Sequence, residues 1–223
     1  MGFFKFIKEE IETIKQRDPA IKSDKEVFLY PGFRIMLRYR IAHRLYIKGH
    51  YFLARMIMQK GASKVGIDIH PGAVIGKNFF IDHGIGVIIG ETAIIGDDCT
   101  IYQGVTLGGT GKQTGKRHPT LGNNIMVSAG AKVLGNITIG DNTKIGAGSV
   151  VLRDIPSNST VVGVPGRVIK RNNIKCERID LDQVHLPDPV SNDIKELREE
   201  NRKLKERLDK LAKAMKHSEN DEA

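Results

Sequence analysis

The stretch Ile69–Ile81 reads Ile-His-Pro-Gly-Ala-Val-Ile-Gly-Lys-Asn-Phe-Phe-Ile and has an isoleucine at every sixth position. The same spacing of aliphatic residues returns over 89–107 and over 121–151. A period of six fits neither an α-helix, with about 3.6 residues per turn, nor a flat strand, whose side chains alternate. It is typical of a solenoid in which each hexad forms one short strand and one turn, with its aliphatic side chain inward. We therefore predict stacked coils that bury ladders of isoleucine and valine.

Thirteen hexads make up the repeat, and three hexads to a triangular coil predict slightly more than four coils. A small residue often lies four positions after the aliphatic one. Glycine often directly follows the aliphatic residue, where we expect it to supply a corner that tolerates positive φ. The repeat is interrupted twice, by two extra residues before Ile89 and by eight extra residues before Leu121. The thirteen aliphatic residues are Ile69, Ile75, Ile81, Ile89, Ile95, Ile101, Leu107, Leu121, Val127, Val133, Ile139, Ile145 and Val151.

The segments on either side of the repeat have other patterns. Apolar residues at helical spacing predict helices within 3–14, 35–47 and 51–58. We therefore divide the chain into a helical N-terminal region (1–62), a β-helix domain (63–171), a linker (172–190) and a C-terminal helix (191–216). In the last segment, the residues of one seam recur at intervals of three and four positions in turn, which predicts a coiled-coil helix. That seam consists of Ile194, Leu197, Asn201, Leu204, Leu208, Leu211 and Met215.

Composition and charge restrict the function classes. The chain has 223 residues, a net charge of +9 and no apolar run approaching the ~20 residues that span a membrane. Residues 1–62 carry 13 lysines and arginines against 6 acidic residues, and this excess of positive charge would suit binding to nucleic acid or to an anionic membrane. Helix-turn-helix punctuation is absent, so we favour a solvated amphipathic face and expect neither partner. The two cysteines, Cys99 and Cys176, do not form a disulfide framework, which favours a reducing cytoplasm.

The interruptions of the repeat carry the residues that are suited to chemistry. Asp82 and His83 lie at the first interruption, and the second is a loop over 108–120 that contains Arg117 and His118. A histidine at a turn is accessible, and a nearby carboxylate can fix its tautomer and raise its basicity. Because the repeat itself is a scaffold, we look for function at these departures from it.

At these residues the chain resembles the serine O-acetyltransferases of the hexapeptide-repeat acyltransferase superfamily. The resemblance covers about residues 17–171. It implies a left-handed parallel β-helix and transfer of acetyl from acetyl-CoA to the hydroxyl of L-serine, giving O-acetylserine for cysteine biosynthesis. The motifs that carry it are Asp68-Ile-His-Pro, Asp82-His, Gly90-Glu-Thr, Val105-Thr-Leu-Gly-Gly-Thr-Gly-Lys, Arg117-His-Pro and Gly163-Val-Pro-Gly-Arg.

The resemblance also implies roles in catalysis. His83 is the general base that takes the proton of the serine hydroxyl, because a hydroxyl is a poor nucleophile until its proton is removed. Asp68 orients the His83 imidazole. His118 is a second catalytic histidine, which contacts the substrate or helps with proton transfer.

The substrate contacts implied by the family suit a zwitterion. Asp18 and Asp82 bind the ammonium group of serine, and Arg117 binds its carboxylate bidentately. Glu91 holds Arg117 in place. Cysteine carries the same two charged groups, so the resemblance also implies feedback inhibition by L-cysteine.

Acetyl-CoA is expected along a groove beside the coils, where small residues let the pantetheine arm approach the backbone. No metal is expected, and Cys99 is interpreted as a structural residue of the core. The cofactor-binding candidates are Gly109, Thr110, Ala129, Gly130, Ala147, Gly148 and Lys170.

Assembly is predicted from the same resemblance. The helical N-terminal region is shorter than that of the hexameric members, so a homotrimer is favoured. The family's docking tail for O-acetylserine sulfhydrylase ends in isoleucine, whereas this chain ends in Ala223, so that complex is doubtful.

Three alternative functions come from other classes of protein. The first is a hexapeptide-repeat O-acetyltransferase that acts on a sugar or polysaccharide. The second is a zinc lyase of the β-helix carbonic anhydrase type, which needs a third histidine about five residues after His118, where Asn123 and Asn124 stand. The third is a non-catalytic scaffold protein, which would have no use for the cluster of Asp68, His83 and His118.

Overall fold

The computed structural model describes residues 3–111, 114–171 and 197–207. The chain forms two compact units, Met1–Leu186 and Pro187–Ala223. None of the helices in the described ranges is long and apolar enough to cross a membrane.

The N-terminal region is helical, as predicted. Helix α1 ends at Arg17, directly before Asp18-Pro19, and the next two α-helices are separated by Gly49, whose φ of 85° requires the left-handed region. The domain boundaries drawn from the sequence stay predictions, and α3 continues to Val65, beyond the predicted boundary at 62. The helices are α1 (Phe3–Arg17), a 3₁₀ helix (Glu26–Leu29), α2 (Pro31–Ile47) and α3 (Tyr51–Val65).

A left-handed parallel β-helix follows, as the hexads and the resemblance predicted. Each coil gives one short strand to each of three sheets, except that a single bridge between Ile139 and Ile155 replaces a strand in the fifth coil. The strands are β1 (Ile67–Ile69), β2 (Val74–Ile75), β3 (Phe80–Ile81), β4 (Val87–Ile89), β5 (Ile94–Ile95), β6 (Thr100–Ile101), β7 (Thr106–Gly108), β8 (Thr120–Leu121), β9 (Met126–Val127), β10 (Lys132–Leu134), β11 (Thr138–Ile139), β12 (Lys144–Ile145), β13 (Val150–Val151), β14 (Ser159–Val162) and β15 (Arg167–Arg171).

The three sheets form the three faces of the β-helix. Sheet 1 has the order β1-β4-β7-β10-β13, and sheet 2 has the order β2-β5-β8-β11. Sheet 3 has the order β3-β6-β9-β12-β14-β15, in which only β15 runs antiparallel to its neighbour. We name two edges of the β-helix by the histidines they hold. The His83 edge is the corner between sheets 3 and 1, and the His118 edge is the corner between sheets 1 and 2.

The β-helix has about five coils, so the predicted number of slightly more than four was too low. The fifth coil contains Ile155 and Val161, which are both buried. Ile155 follows Val151 after four residues instead of six. Ile155 pairs with Ile139, and Val161 pairs with Ile145, so the shorter corner leaves the stacking register unchanged.

The core is the predicted ladder of aliphatic side chains. All thirteen hexad residues are buried and belong to one hydrophobic cluster. The same cluster includes Tyr39 from α2 and Met58 from α3, so these two helices pack on the N-terminal end of the β-helix. Tyr39 also donates a hydrogen bond to the carbonyl oxygen of Ala73 at 2.5 Å.

Helix α1 packs through a face that is partly polar. Ile14 packs with Phe33 and Phe80, but Glu10 is also buried, with 4% of its surface exposed. Burial raises the pKa of Glu10 to about 7, although Arg40 and Arg17 oppose the shift. Because the folded-state pKa is raised, the stability linked to Glu10 is present at low pH and is lost as the pH rises through about 7.

We expect Glu10→Gln to raise the melting temperature above pH 7 and to flatten its pH dependence between pH 5 and 8. The variant removes the cost of an ionised carboxylate in a buried site. Melting curves across that range measure the effect, and Glu12→Gln on the exposed face of α1 is the control. Parallel melting profiles for wild type and Glu10→Gln would contradict this prediction.

The second unit is helical over 197–207. Leu197 and Leu204 are exposed, and Asn201 donates a hydrogen bond to the carbonyl oxygen of Leu197 at 3.1 Å. Ile194, Leu208, Leu211 and Met215 of the predicted seam lie outside the described residues. The coiled coil therefore stays a prediction.

Candidate active site

The His83 edge contains the first interruption of the repeat. His83 adopts a left-handed conformation with φ of 55°, and Gly84 follows with φ of 86°. This tight turn turns the His83 ring outward, so that 75% of the side chain is exposed. Its Nε2 atom lies 3.9 Å from Oδ1 of Asp82. The turn therefore presents an imidazole and a carboxylate side by side.

Asp82 is less exposed than His83, and burial raises the pKa of its carboxyl group. The charge of Asp18 raises it further, while His83 opposes the shift. Asp18 follows the last residue of α1, and its Oδ1 atom accepts a hydrogen bond from the backbone N–H of Ala20 at 2.8 Å. Its Oδ2 atom accepts one from the Tyr30 hydroxyl at 2.5 Å. The carboxylates of Asp18 and Asp82 are thus near enough to influence each other beside His83, an arrangement that suits an ammonium group.

Asp68 lies in the middle strand position of β1, on sheet 1. A side chain at Gly84 would collide with Ile67, so the residue before Asp68 packs beneath the turn that holds His83. Within the described residues no hydrogen bond joins Asp68 to His83. The orienting role of Asp68 therefore stays a prediction.

The His118 edge holds a second cluster around Arg117. Nη2 of Arg117 donates a hydrogen bond to Oε2 of Glu91 at 2.7 Å, which confirms that Glu91 holds Arg117. The Tyr46 hydroxyl donates to Oε1 of the same carboxylate at 3.1 Å. Burial alone would raise the pKa of Glu91, but the hydrogen bonds from Tyr46 and Arg117 outweigh it and lower the pKa. The ionised Glu91 therefore fixes the guanidinium group, whose other nitrogen atoms make no hydrogen bond to the described part of the chain.

Thr92 fixes the tautomer of His118. The backbone N–H of Thr92 donates a hydrogen bond to Nδ1 of His118 at 3.1 Å. The Thr92 hydroxyl accepts from the backbone N–H groups of Arg117 and His118, at 3.0 and 3.2 Å, and lies 2.9 Å from the same Nδ1 atom. Nδ1 is therefore an acceptor, and the neutral ring carries its proton on Nε2.

The electrostatic surroundings of His118 also favour the neutral ring. Burial lowers the pKa of His118, and the positive charge of Arg117 lowers it further. The ring packs closely on Gly90, where a side chain would collide with it. Lys116 closes the loop by donating to the carbonyl oxygens of Thr92 and His118, at 2.8 and 2.5 Å. His118 is thus held as a neutral hydrogen-bond donor.

Comparisons with known proteins agree with this geometry. A protein-family model described as bacterial transferase hexapeptide (six repeats) matches residues 118–153 of this chain. A serine acetyltransferase of Bacillus pumilus is 54% identical over 217 residues, which cover 97% of this chain and all of that protein. The chain belongs to the serine acetyltransferase family.

Solved structures of serine acetyltransferases share the fold. One, a serine acetyltransferase in complex with cysteine, superposes with a TM-score of 0.78 at 39% sequence identity. The superposed part covers 82% of this chain and 71% of the chain in that structure. Another, from Brucella abortus in complex with coenzyme A, has a TM-score of 0.74 at 41% sequence identity. The superposed part covers 77% of this chain and 69% of the chain in that structure.

The proposed cofactor candidates lie in three places on the β-helix. Ala129, Gly130, Ala147 and Gly148 lie at corners between sheets 3 and 1, along the His83 edge. Gly130 and Gly148 have φ near 70°, and a side chain at either would meet open space. The remaining candidates lie elsewhere: Gly109 and Thr110 are on the His118 edge, and Lys170 is exposed on β15 in sheet 3.

The sequence did not single out several residues that contribute to the candidate site. Thr92 and Gly90 lie in the motif Gly90-Glu-Thr, but the hydrogen bonds of the Thr92 hydroxyl have no sequence signature. Tyr46 and Tyr30 lie in the helical region and contact Glu91 and Asp18. Only the folded chain brings these tyrosines to the site.

We expect Thr92→Val to lower kcat roughly fivefold to tenfold, because the backbone N–H groups of two site residues lose their acceptor. The pKa of His118 should also rise, since the hydroxyl that stabilises its neutral form is gone. Thr92→Ser keeps the hydroxyl and is the matched control. The measurement is kcat against pH, and identical profiles for the two variants would contradict the role given to Thr92.

Proposed function

We propose that the protein is a serine O-acetyltransferase, which transfers acetyl from acetyl-CoA to the L-serine hydroxyl and gives O-acetylserine for cysteine biosynthesis. One observation carries the proposal: the site residues form two charged groups that match a zwitterion. Asp18 and Asp82 suit the ammonium group, and Arg117, held by Glu91, suits the carboxylate.

In this mechanism, His83 acts as the general base. Its exposed imidazole takes the hydroxyl proton as the serine oxygen attacks the thioester carbonyl carbon. The C–S bond then breaks, and the protonated His83 gives the proton to the departing CoA thiolate. Asp68 orients His83, and His118 donates a hydrogen bond from Nε2 to the substrate.

No acyl-enzyme takes part in this proposal. Cys99, the cysteine of the β-helix, is fully buried, and burial raises the pKa of its thiol to about 12. Its sulfur lies 3.2 Å from the carbonyl oxygen of Gly122, to which the thiol donates. A buried, protonated thiol is a poor nucleophile, which supports direct transfer to serine.

We infer that each active site forms between two protomers of a homotrimer. The His83 edge and the His118 edge are the two opposite borders of sheet 1, so one protomer presents the two halves of the site apart from each other. A head-to-tail contact that closes as a ring of three brings the His83 edge of one copy to the His118 edge of the next. Exposed apolar residues beside the first edge, Ile85 and Ile88, support such a contact.

Acetyl-CoA is proposed to lie in the groove between these edges. The coenzyme A complex of the Brucella abortus relative supports this co-substrate. The small corner residues Gly130 and Gly148 leave room for the pantetheine arm, and Lys170 is proposed for a CoA phosphate. Ala129, Ala147, Gly109 and Thr110 complete the proposed groove.

L-cysteine is proposed as a feedback inhibitor that occupies the serine site. The structure of a relative in complex with cysteine supports this proposal. Cysteine differs from serine in one atom and offers the same ammonium and carboxylate groups. We also propose a cytoplasmic location, because a chain with two cysteines is not built on a disulfide framework.

The reaction is proposed to need no metal ion. Nδ1 of His118 already accepts hydrogen bonds from Thr92, which supports a role other than metal ligation. We expect dialysis against a chelator to leave the rate of serine acetylation unchanged. Loss of activity that zinc restores would contradict this proposal.

A panel of hydroxyl acceptors tests the function. Release of the CoA thiol from acetyl-CoA should depend on L-serine and should be negligible with neutral sugars. The paired charges of Asp18, Asp82 and Arg117 favour an amino acid over the sugar or polysaccharide of the alternative. Turnover with a sugar acceptor and none with serine would overturn the proposed function.

A further inference from the structure

Arg17, the last residue of α1, is anchored to the second coil of the β-helix. Its Nη1 atom donates hydrogen bonds to the carbonyl oxygen of Cys99 at 3.1 Å and to the hydroxyl of Thr100 at 2.8 Å. Its Nη2 atom lies 3.8 Å from Oδ1 of Asp98, and only 7% of the side chain is exposed. The planar guanidinium group thus fixes the end of α1 in both position and direction.

The anchored residue directly precedes Asp18. The carboxylate of Asp18 is oriented in turn by the Tyr30 hydroxyl at 2.5 Å. Asp18 and Asp82 interact as like charges across the site. Displacement of the end of α1 would move the carboxylate of Asp18 away from Asp82. The hydrogen bonds of Arg17 act against that displacement.

We propose that Arg17 and Tyr30 are positioning residues for the substrate ammonium group: Arg17 fixes the end of α1, and Tyr30 orients the carboxylate of Asp18. This inference rests on the proposed function and extends it. Neither side chain takes part in the chemistry. Both hold the Asp18 carboxylate in place before serine binds, so that little binding energy is spent on rearranging the free enzyme.

Arg40 offers a matched control for the anchor. It also joins an N-terminal helix to the β-helix, because its guanidinium group donates to the carbonyl oxygens of Ile75 and Gly76 at 2.6 and 2.5 Å. Arg40 lies in the interior of α2 and is not adjacent to a carboxylate of the site. Loss of either arginine should destabilise the fold, but only loss of Arg17 should release Asp18.

The test compares Arg17→Ala, Arg17→Lys, Arg40→Ala and Tyr30→Phe with wild type. Both alanine variants should lower the melting temperature. Arg17→Ala should raise the KM for serine about tenfold and leave the KM for acetyl-CoA unchanged, because charge-assisted hydrogen bonds are lost on the serine side alone. Arg17→Lys should recover part of that loss. Tyr30→Phe should raise the KM for serine several-fold with little change in melting temperature.

Other results would overturn the inference. A rise in the KM for serine that is equal in Arg17→Ala and Arg40→Ala would make Arg17 a structural residue only. Unchanged serine binding in Tyr30→Phe and Arg17→Lys would also overturn it, and these two variants decide the matter if Arg17→Ala does not fold. Asp18→Asn separates this failure from that of the proposed function: if its KM for serine equals that of wild type, the serine site itself is wrong.

Discussion

Replacing His83 with alanine is expected to lower kcat by roughly 10²–10⁴-fold, the usual contribution of a general base. The side chain lies on an exposed turn and packs against little else, so the fold and the oligomeric state should remain. The neighbouring carboxylate of Asp82 remains, but it lies on the side of the site proposed for the ammonium group. Steady-state rates with serine and acetyl-CoA, together with light scattering, measure both parts of the expectation.

His50→Ala is the matched control for this experiment. His50 is an exposed histidine before α3, and it makes no side-chain hydrogen bond at the start of that helix. Its replacement should leave kcat within about twofold of wild type, as surface substitutions usually do. Activity of His83→Ala within a few-fold of wild type would remove His83 from the role of base.

Arg117→Ala is expected to raise the KM for serine about tenfold to a hundredfold and to change the KM for acetyl-CoA much less. A charge-assisted pair with the substrate carboxylate contributes about 1.5–3 kcal/mol, and each 1.4 kcal/mol corresponds to about a tenfold change. Loss of Arg117 also leaves Glu91 without its cation, so a carboxylate then faces the substrate carboxylate. Initial rates at varied concentrations of each substrate separate the two KM values.

Two further variants check the Arg117 result. Arg153→Ala removes an exposed arginine elsewhere on the β-helix and should change neither KM. Arg117→Lys keeps the charge but not the bidentate geometry, and it should fall between wild type and alanine. Equal rises of both KM values in Arg117→Ala would mean that Arg117 does not bind the serine carboxylate.

The sequence predicted the β-helix well because its core is strictly local and periodic. Each hexad buries one aliphatic side chain, so the pattern Ile69, Ile75 and Ile81 is visible without any knowledge of long-range contacts. The number of coils was less predictable. The corner between Val151 and Ile155 is shorter than a hexad, and a strict period of six ends there.

The site was predictable only in part. Glu91 and Arg117 come from motifs, and their contact was expected from the resemblance. Tyr30 and Tyr46 reach the site from the helical region, and their contacts with Asp18 and Glu91 arise from the packing of helices on coils. Such contacts between different elements leave no periodic signal in a single sequence.

The division of the site between two edges is a consequence of the coil geometry. Asp82 and His83 follow the third strand of a coil, whereas Glu91 follows the first strand of the next coil. Arg117 and His118 likewise follow β7, a strand of sheet 1. The two groups of residues therefore lie at different corners of the β-helix, which is why the proposed site joins the edges of two copies.

The most direct test of the composite site is the serine acetyltransferase activity of coexpressed His83→Ala and Arg117→Ala chains. In a mixed trimer, one contact pairs the intact His83 edge of one chain with the intact His118 edge of the other. Random mixing of two equally abundant chains should therefore restore about one quarter of wild-type activity, although each variant alone is nearly inactive at low serine concentration. Activity no higher than the mean of the two separate variants would contradict an active site shared between protomers.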